Sequence, residues 1–318
     1  MKRVSGKRLF LIGLMLVTAV CAVLFSMKSA QQQPGGIGAY FAVAPNDDAI
    51  AFSYNTGNES GIYVSKDRGM KAMGVLTSRK EVYLHPVFSP DGTRILYLSQ
   101  RGGNQTLWMM NRDGSGAVSL SSGQLYVTDA IFSHDGTVIY FLAGKPGAFQ
   151  LFSMRPDGSD VREVTSSYYI NSLSAAPDGR TLYFIQAKEK EQAPSLYIWD
   201  LHTGQERKLP VYDLEIPGVY DASLSEDGRL LAFSAVSGET LNASVYEYDV
   251  YVMEIATSKV TQVTGMKGYA AAPAFLHGSK KLLFSVNPDW PRVPPGAGYS
   301  IWEIDVDGFG LRYVPMLP

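Results

Sequence analysis

The apolar residues of this chain are concentrated in short runs that recur along its length. The runs are almost uninterrupted, whereas a strand with one face in water would alternate apolar and polar residues. Each run therefore predicts a strand that is covered on both faces. The six runs are AIAFS from Ala49, ILYLS from Ile95, VIYFLA from Val138, TLYFI from Thr181, LLAFS from Leu230 and KLLFS from Lys281.

A tight turn precedes most of these runs and repeats with them. The turn ends in Asp-Gly at Gly92, Gly136, Gly179 and Gly228, and the intervals between these glycines are 44, 43 and 49 residues. Asp bonds its own backbone and Gly adopts positive φ, so the pair suits a tight turn. Degenerate copies, APNDDAIAFS and FLHGSKKLLFS, lie near both ends of the repeating region.

The repeat predicts a fold. Each copy contains a short strand, the turn, the apolar strand, a third strand, a second turn and a fourth strand, which together make a four-stranded antiparallel unit. A radial array covers every such sheet with its two neighbours and repeats at about this period. A β-sandwich would not repeat one phrase at a steady interval. We therefore predict an all-β, six-bladed β-propeller over residues 39–318.

The N-terminal residues have a different pattern. An uncharged run of 19 residues, Leu9 to Met27, follows a basic segment at residues 1–8. A helix of this length spans roughly 28 Å, against about 30 Å of bilayer hydrocarbon. We predict a transmembrane anchor at 9–27 with a cytoplasmic N-terminus, followed by a tether at 28–38. The alternatives are a cleaved secretory signal, which would leave a secreted or periplasmic protein, and lipidation at Cys21.

Composition narrows the possible functions. Lys and Arg number 28 and Asp and Glu number 30, for a net charge of -2, so the basic excess of a nucleic-acid-binding protein is missing. Cys21 is the single cysteine. The exported part can therefore form no disulfide, thiolate metal site or cysteine nucleophile. We expect no cofactor apart from a possible divalent cation.

One stretch has a clear family resemblance. HPVFSPDGTRILYLSQRGGNQTLWMMNRDG, from His85 to Gly114, resembles a repeat of the TolB-type propeller family, and the resemblance covers most of Tyr40 to Pro318. It implies a propeller and protein binding at the cell envelope. That family has an α/β domain before its propeller, which this chain replaces with the predicted anchor and tether. Related propellers cover serine hydrolase domains, but no G-x-S-x-G elbow is present here.

Counting along the repeats predicts a set of channel residues. Seven residues before each turn glycine lies a position at the entrance of an innermost strand, and these positions should form a ring at the channel mouth. They are His85, Asp129, Ser172 and Asp221, with Tyr40 and Ala272 as the matching positions in the two degenerate copies. His85, Asp129 and Asp221 could bind a divalent cation, since hard cations prefer oxygen ligands. The alternative is that residues at channel positions are polar only because they contact water.

The longest loops lie on the same predicted face as this ring. They start at Gln186, Ala235 and Asn287. Trp290 and Arg292 in the last loop are side-chain types favoured at binding hot spots. The alternative for Trp290 is that it folds down and covers its own blade.

Two functions of different classes remain. The first is a non-catalytic module, held outside the cytoplasmic membrane, that recognises a protein or a cell-envelope component through the face with the long loops. The second is a propeller enzyme, a lyase or hydrolase acting on a carbohydrate or small molecule with a metal at the channel mouth. The first is preferred because the sequence offers no concentrated set of histidine and carboxylate ligands.

Overall fold

The chain folds into β-sheets. A computed structural model describes residues 35–316 except 67–70, 146–147, 166–169, 189–192, 212–217, 240–245, 279 and 291–297. Within these ranges the structure contains strands and turns but no helix, and so none that could cross a bilayer. The predicted membrane span at 9–27 lies outside the described residues. Gly36, Ile37 and Gly38, which the sequence assigned to the tether, belong to the first strand.

The first three units are separate antiparallel sheets of four strands, with the strands in chain order from one edge to the other. Unit 1 contains β1 (Gly36–Val43), β2 (Ala49–Asn55), β3 (Ser60–Lys66) and β4 (Lys71–Ser78). Unit 2 contains β5 (Val82–Phe88), β6 (Arg94–Arg101), β7 (Asn104–Asn111) and β8 (Val118–Ser119). Unit 3 contains β9 (Tyr126–Phe132), β10 (Ile139–Lys145), β11 (Ala148–Met154) and β12 (Arg162–Thr165).

The remaining strands repeat this arrangement. Unit 4 contains β13 (Ile170–Ala175), β14 (Thr181–Gln186), β15 (Ser195–Asp200) and β16 (Gln205–Lys208). Unit 5 contains β17 (Val219–Leu224), β18 (Leu230–Glu239), β19 (Tyr246–Glu254) and β20 (Lys259–Gln262). Unit 6 contains β21 (Tyr269–Phe275), β22 (Lys281–Asn287), β23 (Ser300–Asp305) and β24 (Arg312–Val314). Units 5 and 6 are joined into one eight-stranded sheet by a parallel bridge between Tyr248 and Tyr269.

The Asp-Gly motif forms the turn between the first and second strands of a unit. In unit 5, the Ser225 hydroxyl donates a hydrogen bond to Asp227 at 2.7 Å and accepts one from the Leu230 amide at 2.9 Å. Gly228 closes the turn by donating its N–H to the Ser225 carbonyl at 2.9 Å, and its φ is +70°. Glycine adopts this left-handed conformation at little steric cost because it has no Cβ. The same contacts recur in unit 3 around Ser133 and Asp135.

The core lies between the units. The second strands are buried along almost their whole length, as the continuous apolar runs predict. Apolar clusters join each unit to the next, and one cluster joins the last unit to the first by packing Leu283 and Ile301 against Ile50 and Phe52. Fully burying one such side chain contributes roughly 1.5–3 kcal/mol. Each sheet is therefore held by apolar contacts on both faces.

The innermost strands make a closed circuit. The first strands of consecutive units contact one another in order, and β21 contacts β1. The Tyr299 amide also donates a hydrogen bond to the Ile37 carbonyl at 3.1 Å, so the two ends of the repeating region meet. We call the side with the connections between second and third strands the loop face, and the side with the Asp-Gly turns the turn face. Each inner strand begins at the loop face.

Candidate functional site

Every inner strand is irregular where the sequence predicts the channel ring. The pairing register between the first and second strands shifts there in all the units. His85, Ser172, Asp221 and Ala272 have left-handed backbones, with φ between +48° and +54°. Non-glycine residues rarely adopt this conformation, and such bulges redirect side chains. In β9 the shift falls at Thr128 instead, and Asp129 remains paired with Leu142.

Three ring residues connect their own inner strand to the next one, from β9 through β13 and β17 to β21. Asp129 Oδ2 accepts a hydrogen bond from the Leu173 amide at 3.1 Å. The Ser172 hydroxyl accepts one from the Ala222 amide at 2.9 Å, and Asp221 Oδ2 accepts one from the Ala272 amide at 3.4 Å. These polar side chains therefore help to hold the circuit of inner strands together, and they have a structural role whatever the channel binds.

Tyr40 crosses the mouth to reach Asp221. Its hydroxyl donates a hydrogen bond to Asp221 Oδ1 at 2.9 Å, and the Ser234 hydroxyl lies 3.2 Å from Asp221 Oδ2. Tyr40 is 41% exposed, so solvent reaches its side chain at the mouth. The phenol is therefore held by a half-buried carboxylate and is still exposed at the channel mouth.

His85 and Asp129 form a second pair beside the first. His85 Nδ1 lies 3.5 Å from Asp129 Oδ1, and the imidazole packs on the Tyr40 ring with 4.2 Å between centroids. Asp129 is 7% exposed, and its Oδ1 has no hydrogen-bond donor among the described residues. The structure thus brings Tyr40, His85, Asp129 and Asp221 into one group, which we call the mouth site.

Electrostatics in the mouth site are set by burial. Desolvation raises the pKa of the Asp129 carboxyl, and the nearby His85 opposes this shift. Desolvation also raises the pKa of Asp221, which the hydrogen bond from Tyr40 opposes. The negative charge of Asp221 in turn raises the pKa of Tyr40 well above its usual value. The phenol therefore stays protonated at neutral pH and acts as a hydrogen-bond donor to the carboxylate.

The predicted cation ligands all lie in the mouth site, His85 and Asp129 as one pair and Asp221 in the other pair with Tyr40. Across the described ranges, no group of three or more His, Cys, Asp or Glu side chains is arranged to hold a metal ion. Both oxygens of Asp221 and one oxygen of Asp129 already accept hydrogen bonds from the protein. His85 and Asp129 are adjacent, whereas Asp221 faces Tyr40.

Trp290 belongs to an aromatic cluster that the sequence pattern does not predict. The cluster comprises Tyr220, Tyr248, Tyr269, Trp290 and Tyr299, with neighbouring ring centroids 4.8–6.2 Å apart. Trp290 Nε1 donates a hydrogen bond to the Tyr246 carbonyl at 2.8 Å, so the indole packs across units 5 and 6 rather than on its own unit alone. Its neighbour Arg292 lies outside the described residues.

This aromatic cluster borders the mouth site. The charge of Asp221 contributes to raising the pKa of both Tyr269 and Tyr299, after burial, so the rings lie within its field. The Tyr299 side chain is buried, and its hydroxyl has no hydrogen-bond partner in the described part of the chain. The sequence contains one indication of this cluster, because Tyr220 directly precedes the ring residue Asp221. The other members come from separate elements and share no spacing.

Comparison with known proteins identifies relatives. Residues 26–219 match a family model described as the TolB beta propeller domain. A segment of 65 residues is 35% identical to the Tol-Pal system protein TolB of Francisella tularensis subsp. mediasiatica. That segment covers 20% of this chain and only 13% of the relative.

Solved structures with the same fold include TolB proteins and an enzyme. TolB from Acinetobacter baumannii has a TM-score of 0.65 and 20% identity, over 88% of this chain and 63% of that one. Putative TolB from Agrobacterium tumefaciens has a TM-score of 0.64 and 18% identity, over 77% and 84%. Oligogalacturonate lyase from Vibrio parahaemolyticus has a TM-score of 0.55 and 11% identity, over 86% and 94%. At these identities the likeness shows the fold alone.

Proposed function

Because the chain belongs to the TolB β-propeller family, we propose that it is a non-catalytic binding module. It acts on the extracytoplasmic side of the membrane, held there by residues 9–27 or released after their cleavage. It recognises a protein or another cell-envelope component through the loop face. The propeller that presents this face has six blades, which is supported by the closed circuit of inner strands from β1 to β21.

The proposal rests on the hydrogen bonds that the polar side chains at the mouth make within the protein. A carboxylate or hydroxyl that takes part in catalysis exchanges a proton or holds a metal at the reacting atoms. Asp129, Ser172 and Asp221 instead accept backbone hydrogen bonds from the neighbouring inner strands. The groups left facing the channel are aromatic, Tyr40 and His85, and the half-buried aromatic cluster lies beside them. Rigid aromatic side chains of this kind are favoured in binding sites.

Capture from membranes with charge-reversed variants tests this role. One variant changes two exposed cations of the loop face, Arg101 and Lys267, to Glu. The matched control makes the same charge change on the turn face at Arg155 and Arg229. Neither pair lies in the core, so both variants should fold as the unmodified chain does.

The expected result is that the unmodified chain and the turn-face variant retain the same partner, and that the loop-face variant loses it. Rim charges affect association and partner choice, so the loss should be strongest at low salt. Equal retention by both variants, or loss confined to the turn-face variant, would overturn the assignment of the loop face.

A further inference from the structure

The groups that face the channel at the mouth site are hydrogen-bond acceptors. The proton of the Tyr40 hydroxyl is donated to Asp221, so the phenol oxygen offers its lone pairs to the channel. His85 Nδ1 faces the Asp129 carboxylate, and the neutral tautomer with its proton on Nδ1 has its lone pair on Nε2. Within the described ranges Nε2 has no partner. A ligand that fits both atoms must supply N–H or O–H donors.

The carboxylates behind these acceptors are negatively charged, and the imidazole of His85 lies beside one of them, Asp129. Asp129 and Asp221 both lie inside the mouth, and neither pairs with a lysine or arginine among the described residues. A buried charge without a partner is unfavourable. Asp129 Oδ1 and the Tyr299 hydroxyl are also buried without a hydrogen-bond partner in the same part of the chain. A ligand that carries positive charge would relieve this imbalance.

Aromatic surface is available at the same place. Tyr40 is 41% exposed, and its ring and that of His85 lie side by side at the mouth. A cation over the face of a tyrosine is attracted by the negative charge of the ring, most strongly where water is excluded. A divalent metal fits less well, because three of the four oxygens of Asp129 and Asp221 are already occupied.

We infer that the mouth site receives a cationic side chain, a lysine or an arginine, from a polypeptide partner. The inference rests on the proposed binding role and specifies the chemistry of the partner. The side chain would lie against the rings of Tyr40 and His85 and donate N–H bonds to the phenol oxygen and to Nε2. Asp129 and Asp221 would compensate its charge from behind.

A titration of the full chain in detergent micelles with three short peptides tests this inference. The peptides are acetyl-Gly-Lys-Gly-amide, acetyl-Gly-Arg-Gly-amide and a neutral control with norleucine in the central position. The readout is the NMR signal of the His85 ring, which the His85→Gln variant identifies among the four histidines. Calcium ions are titrated separately, and then in competition with the peptides.

The Lys or Arg peptide should move the His85 signal saturably, and the norleucine peptide and calcium should not. Asp129→Asn removes one charge but keeps an oxygen for the Leu173 amide, and it should weaken binding by about tenfold or more. Tyr40→Phe removes an acceptor and should also weaken binding. Glu226→Gln changes the net charge equally on the turn face and should leave affinity unchanged.

Several results would overturn the inference. They are equal binding of the norleucine peptide, no binding of either cationic peptide, displacement of the peptides by calcium, or unchanged affinity in both Asp129→Asn and Tyr40→Phe. The proposed function fails separately, because membrane capture by the loop face does not depend on peptide titration. Capture without peptide binding refutes the cationic site alone, and peptide binding without capture refutes the wider binding role alone.

Discussion

The residues at the channel mouth divide between two roles. Asp129, Ser172 and Asp221 hold neighbouring strands together, whereas Tyr40 and His85 face the channel. Counting from the turn glycines found these positions, because equivalent residues of a repeat occupy equivalent places. It could not separate the roles. The hydrogen bond from Tyr40 to Asp221 joins residues 181 positions apart, and the repeat pattern does not predict it.

The buried carboxylate of Asp129 gives a prediction about pH. Burial raises its pKa in the folded protein above the ordinary value of 3.8. The stability that its protonated form contributes is present below that value and is lost as the pH rises through the folded-state pKa. His85, Asp221 and Tyr40 are the titratable groups that face it. Asp129→Asn should therefore raise the melting temperature at pH 7, with a difference that shrinks toward pH 3.

Asp135→Asn is the matched control at a turn. The hydrogen bond from Ser133, followed by those from Thr137, lowers the pKa of Asp135, so its contribution is present above the unfolded value and is lost as the pH falls. This variant should be less stable than the unmodified chain at pH 7 and should approach it in acid. Thermal melting from pH 3 to pH 7 measures both variants. A melting temperature of Asp129→Asn below that of the unmodified chain at pH 7 would contradict the burial account.

At the scale of elements, the sequence predicted the strands and turns well. Apolar runs gave the buried second strands, and the Asp-Gly pairs gave the turns between the first two strands. The aromatic cluster was not predictable, because its rings come from β17, β19, β21 and the connection before β23. The position of the bulge in β9 was also not predictable, because the sequence does not distinguish Thr128 from Asp129 as the bulged residue.

The turn glycines differ in a way that can be measured. Gly228 and Gly179 have φ of +70° and +65°, so alanine at either position is strained by about 1–2 kcal/mol. A Cβ on Gly228 would also lie 3.0 Å from the ring of Pro177, whereas nothing lies within 4 Å of one on Gly179. Gly228→Ala should therefore lose about 1–3 kcal/mol more than Gly179→Ala. Chemical denaturation measures both, and equal losses would show that the turns do not pack on each other.

At the scale of the whole molecule, the circuit of units creates two unlike faces. The turn face is built from short, repeated turns that pack on one another, as Pro177 does on Gly228. The loop face carries the unequal connections, the mouth site and the aromatic cluster. The two ends of the repeating region meet through the bond between Tyr299 and Ile37 and through a shared apolar cluster. A rigid scaffold with variable loops on one side is typical of binding proteins.

Photo-crosslinking in membranes tests the central claim, that the protein binds its partner through the loop face. A benzoylphenylalanine residue is placed, one per variant, at three exposed loop-face positions and three exposed turn-face positions. The loop-face positions are Asn58, Asn104 and Lys267, and the turn-face positions are Asp178, Arg229 and Asp307. One discrete adduct is expected from the loop-face positions and none from the turn-face positions. Adducts from the turn face alone, or from neither face, would contradict it.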